Sequence, residues 1–115
     1  MICSPIGRPP LLKPTGTDSA GRDHLANHHC TLLIGKGVKA GVVGGIEANG
    51  NDFKAMALNS STGQGVPKDQ ASSADIAFGD TLGAVGKTMG AALGVPAQAL
   101  EDNITQGKVV TAALA

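Results

Sequence analysis

Phe78-Gly79-Asp80-Thr81-Leu82-Gly83-Ala84-Val85-Gly86-Lys87-Thr88-Met89-Gly90-Ala91-Ala92-Leu93-Gly94-Val95 is the stretch on which the reading of the fold turns. Phe78, Leu82, Val85, Met89, Ala92 and Leu93 recur at the three- and four-residue spacing of one helix face. That pattern predicts a main helix over about 79–93. Asp80 or Asp75 is a candidate N-cap, and Gly94 followed by Pro96 stops the helix. Gly79, Gly83, Gly86 and Gly90 lie in or beside it. An interior glycine costs up to about 1 kcal/mol relative to alanine. A helix that keeps so many is therefore expected to be pressed closely against another surface.

Outward from the helix the elements are short. Residues 97–104 read as a second short helix, and Lys108-Val109-Val110 as a short strand or extended segment. Residues 59–75, rich in Ser, Gly, Gln and Asp, read as a surface loop. Asn49-Gly50-Asn51-Asp52 is a turn signal. Cys30-Thr31-Leu32-Leu33-Ile34 is a short apolar, β-branched run, expected as a buried strand. Gly41-Val42-Val43-Gly44-Gly45-Ile46 is expected as a second strand, pairing with the first across residues 37–40. Residues 1–22 read as an irregular loop, because Pro5, Pro9, Pro10 and Pro14 remove donors and Gly7, Gly16 and Gly21 interrupt further. The expectation is one domain over 1–115, incomplete by itself, with a few short Gly-rich strands and one main helix.

Composition bounds what this domain can do. Its 115 residues carry nine basic and nine acidic side chains, a net charge of zero. Surfaces that track phosphate backbones show a Lys/Arg excess, and stacking on single strands needs aromatics. No nucleic-acid partner is expected. Seventeen glycines, two phenylalanines and neither Trp nor Tyr make a thin core, which points to a piece of something larger. No stretch reaches the roughly 20 apolar residues of a membrane span. The opening residues lack the basic start and apolar run of an export signal. The two cysteines, Cys3 and Cys30, could form at most one disulfide and do not fix a redox compartment.

Three constellations could carry chemistry. Gly35-Lys36-Gly37-Val38-Lys39-Ala40 fits the Gly-x-Gly-x-x-Gly/Ala pattern after a strand. That pattern works only with a helix N-terminus behind it, and Gly41-Val42-Val43-Gly44-Gly45 cannot sustain one. Gly86-Lys87-Thr88 resembles the end of a phosphate-binding loop, but Thr81 stands where the leading glycine belongs. Lys87 is better read as a solvated side chain on a helix face, and nucleotide binding is a remote third reading. The third is Gly21-Arg22-Asp23-His24, followed by Asn27-His28-His29-Cys30, which gathers all three histidines within six residues. Aspartate and neutral histidine are good ligands for zinc and manganese. Three readings stand. Asp23 and His24 could hold a catalytic metal. His24, His28 or His29 and Cys30, with or without Cys3, could form a structural zinc site. Or these are ordinary polar residues before a strand, the reading that residue types alone favour.

Ile6-Gly7-Arg8-Pro9-Pro10 resembles the Phe-Gly-Arg-Thr-Pro segment of a large bacterial family catalogued as domain of unknown function 1501. In that family a variable loop and Gly-Arg/Lys-Asp-His follow, and Gly21-Arg22-Asp23-His24 fills that place. The family's Gly-Gly-Gly-Ile/Val-Lys-Gly-Gly and Val-containing strand are matched by Thr31 through Gly44, and its late Leu-Gly-Ile/Val by Leu93-Gly94-Val95. The likeness covers residues 6–46 fairly specifically and 76–96 loosely.

The family is similar to the alkaline phosphatase and sulfatase superfamily, metal-dependent hydrolases of phosphate and sulfate esters with an α/β fold. The resemblance implies that this chain is a C-terminal fragment of such a protein. It makes Asp23 and His24 metal ligands, for zinc, manganese or magnesium, and Arg8 and Arg22 contacts for an anion. A guanidinium can pair with an oxyanion bidentately. His28 and His29 match no ligand position in the family. A catalytic ion needs about three protein ligands, and the serine or threonine nucleophile belongs to an earlier segment. The resemblance therefore implies a chain inactive alone, whose partner is the missing N-terminal portion. Met1-Ile2-Cys3-Ser4-Pro5 departs from the family's strand at this point, as a truncated or misread gene start would. Family members often carry export signals. The rival expectation is a small non-catalytic binding or assembly module with open strand edges.

Overall fold

The structure is a computed structural model that describes residues 2–4, 28–50 and 52–115. It is a small mixed α/β protein. Its contacts divide into two units, one taking the chain through Leu33 together with Ile46–Ala55, the other Ile34–Gly45 with Met56–Ala115.

The first unit holds two antiparallel strand pairs. β1 (Ile2–Ser4) pairs with β2 (Cys30–Leu32), Cys3 standing opposite Thr31. β3 (Ile46–Asn49) and β4 (Asp52–Ala55) form a hairpin across the turn read from Asn49-Gly50-Asn51-Asp52. Glu47 and Lys54 are opposite one another and ion-paired at 3.2 Å. Such a cross-strand pair contributes about 0.2–1 kcal/mol.

Two strand expectations are corrected here. The run at 30–34 is not buried: Cys30 and Leu32 are exposed, and Ile34, 77% exposed, lies beyond the strand. Nor does 41–46 form a strand paired with it. Gly44 makes one bridge to Gln64, and the strand begins at Ile46. Gly41 at φ 159° and Gly44 at φ 90° interrupt the segment, and β2 takes β1 as its partner instead. In both β2 and β3 the shielded positions are Thr31 and Glu47, while Leu32 and Ile46 point to solvent.

The second unit owns the core. Leu58, Val66, Ile76, Ala84, Leu100, Val110 and Ala113 are its buried apolar residues. β5 (Ala57–Leu58) pairs with β6 (Gly65–Val66), and on its other side Leu58 exchanges both main-chain hydrogen bonds with Ile76. The expected surface loop at 59–75 is therefore a structured hairpin followed by a 3-10 helix, Lys68–Ser73. Asn59 organises the turn. Its Oδ1 accepts from the main-chain N–H groups of Ser61 (3.1 Å) and Thr62 (3.0 Å), and its Nδ2 donates to the Ser73 carbonyl at 3.0 Å. This is the backbone-mimicking use of a short amide side chain.

The main helix, α1, runs Thr81–Ala92, within the expected span. A 3-10 turn, Phe78–Asp80, leads into it. Asp80 stands at the N-cap position without a capping hydrogen bond; Thr81 Oγ1 donates to the Phe78 carbonyl instead. The exit is a Schellman motif: Val95 N–H bonds the Gly90 carbonyl, Gly94 N–H that of Ala91, and Gly94 takes φ 81°. α2 (Ala97–Asn103) follows, where a second helix was expected. At 108–110 no strand forms; Val110 N–H donates to Thr88 Oγ1 at 2.9 Å.

The face that α1 buries is not the apolar one. Leu82 and Leu93 are exposed, and the buried helix residues are Ala84, Lys87 and Thr88. The glycines are where the helix touches its neighbours. A Cβ at Gly83 would collide with the Gln106 carbonyl, and one at Gly90 with the Leu100 side chain. The close approach inferred from glycine content is real, and the surface met is the chain's own 100–107.

Candidate functional site

Arg8, Arg22, Asp23 and His24 lie outside the described residues. Of the neighbouring cluster, His28 has a buried Nδ1 without a hydrogen-bond partner, His29 is exposed, and Cys30 is an exposed free thiol. Among the described residues no group of three His, Cys, Asp or Glu side chains stands close enough to hold a metal ion.

Two polar constellations do form, both in the second unit. The first lies inside it. Lys87, 1% exposed, donates from Nζ to Glu101 Oε2 at 2.5 Å and to the Gly107 carbonyl at 2.9 Å. Gly107 receives it at φ 74°, against Ala84 and Asp80 of the helix start. Beside it Thr88 Oγ1 donates to the Ala84 carbonyl at 2.6 Å while accepting from Val110. The tripeptide that looks like a phosphate loop is thus turned inward. The expected solvated lysine is instead a clasp between α1, α2 and the turn at 107. A buried ammonium requires such partners, because an unpaired charge in the interior is costly. Its amine is already committed and closed to solvent, which leaves nothing for a nucleotide phosphate. The signal was present in the spacing: Gly83, Lys87 and Gly90 sit at i, i+4 and i+7, on one helix face.

The second constellation is at the surface. Asp75 accepts from Ser60 Oγ at 2.6 Å and Ser60 N–H at 2.7 Å, and pairs with Lys108 Nζ at 3.5 Å. The Ser60 hydroxyl, then its main-chain N–H, hold the Asp75 carboxyl below its ordinary value; Lys108 adds to this and desolvation opposes it. The Ser60 carbonyl also receives Ala112 N–H at 3.2 Å and Thr111 Oγ1 at 3.3 Å. Serine beside a carboxylate invites a nucleophilic reading. A base must have a pKa near the working pH to take a proton, and this carboxylate is moved the other way. The arrangement ties the 59–63 turn to 75 and 108–112.

A shallow cleft of about 290 Å³ lies next to that turn, lined in part by Asn59, Thr62, Gln64, Gln70 and Ser73. Asn59, Thr62 and Ser73 spend polar atoms on the turn and the 3-10 helix, so its lining is structural before it is receptive. No helix among the described residues is long and apolar enough to cross a membrane. Compared with family models, curated proteins and solved structures, the chain matches none.

Proposed function

We propose that this chain is the C-terminal part of an alkaline-phosphatase-like protein, related to the family catalogued as domain of unknown function 1501 and inactive alone. The parent would hydrolyse phosphate or sulfate esters with divalent metals. Asp23 and His24 would be metal ligands there, and Arg8 or Arg22 an anion contact. A bound zinc, manganese or magnesium ion would supply Lewis acidity. One aspartate and one histidine make two of the roughly three donors an ion needs. The set fits a shared site, not a complete one, so no catalytic step is assigned to this chain.

The observation that carries the reading is where large apolar side chains face water. Leu32, Ile34, Val42, Val43 and Ile46 are all exposed, Val42 by 89%. They fall inside the stretch where the sequence likeness is most specific. Burying a Val, Leu or Ile is worth about 1.5–3 kcal/mol each. Side chains left in water along one continuous stretch favour a covering partner, here the absent portion of the parent. The same exposure favours a second reading, a small non-catalytic assembly module. The test is to sequence upstream of the coding region and co-express any in-frame portion with this chain. The proposal expects a serine or threonine nucleophile and further Asp/His ligands encoded upstream. It also expects a stable complex that hydrolyses p-nitrophenyl phosphate or sulfate with added zinc or manganese and loses activity on Asp23→Ala. An upstream region without a related frame, or a partner bound as well by the Asp23→Ala, His24→Ala chain with no metal involved, would favour the assembly module.

A further inference from the structure

We draw no further inference here: the strongest candidate, the exposed apolar side chains Leu82 in the first turn of α1 and Leu93 and Val95 just past its end, carries nothing because nothing in the structure shows what covers them.

Discussion

Residues 56–115 and residues 30–46 solve the burial problem in opposite ways. The first stretch supplies every buried apolar residue among those described, and turns even a lysine inward with partners for its charge. The second contains Leu32, Ile34, Val42, Val43 and Ile46, all exposed. Both are rich in glycine, so glycine content does not separate them. The difference is whether the chain provides its own covering surface. For the glycine face of α1 it does, through Leu100, Ile104 and Gln106. The glycine face of α1 is thus covered by the chain itself, whereas the apolar side chains exposed along 32–46 have no such cover among the described residues.

The contrast can be broken by substitution. The largest effect is expected at Ile76, 1% exposed. Ile76→Ala should cost about 2–5 kcal/mol, the range for truncating a buried isoleucine, read by urea denaturation followed by far-UV circular dichroism. Ile34→Ser and Val42→Ser should each stay within about 0.5 kcal/mol, as at exposed positions. Equal losses at the two sets of positions would erase the distinction.

Next comes the clasp. Glu101→Ala strips the carboxylate from a buried ammonium and should cost about 3 kcal/mol. Lys87→Met, which removes the charge and keeps the stem, should cost clearly less, because the largely exposed Glu101 returns to water. The order of the two losses is the measurement. A Lys87→Met chain weaker than Glu101→Ala would show that the lysine contributes more than a charge needing a partner.

The smallest effect belongs to Asp75. Its folded pKa lies below the unfolded one, so its contribution is fully present above the ordinary carboxylate range. That contribution is lost as pH falls through the unfolded value of about 3.9 and then the folded value. Denaturant midpoints of the native chain should therefore decline on acidification below that range. Asp75→Asn should decline less, since it carries no titrating group. Parallel declines would remove Asp75 from the acid response. Lys108 is exposed, and breaking its ion pair by Lys108→Ala should cost no more than about 1 kcal/mol.

How much of this was legible in the sequence differs by the range of the interactions. α1 follows from apolar spacing, and its end from Gly94 and Pro96, which are local signals. The Asn49–Asp52 hairpin turn is local too. β2 forms within the run expected as a strand, but a β-branched run does not name its partner, and β2 takes a strand some 26 residues earlier; the strand expected over 41–46 begins only at Ile46. The inward turn of Lys87 depends on Glu101 and Gly107, fourteen and twenty residues on. Only the glycines on its own face hinted at it. The hairpin inside 59–75 was hidden by polar composition, although an asparagine followed by Ser-Ser-Thr-Gly is the material of a side-chain-capped turn. Of the candidate site, Arg8, Arg22, Asp23 and His24 rest on residue types and on the family likeness alone.

The most direct test of the central proposal is metal binding at Asp23 and His24. Zinc and manganese are titrated by isothermal calorimetry into the chain co-purified with its co-expressed upstream portion, with circular dichroism melts in parallel, against the same complex carrying Asp23→Ala and His24→Ala. A ligand that binds the folded state alone raises stability by about 2.7 kcal/mol at a hundredfold excess over its Kd. The account predicts saturable binding and a rise in Tm for the native complex, both lost in the variant. Native and variant complexes that bind alike, or a native complex that binds neither ion, would contradict it.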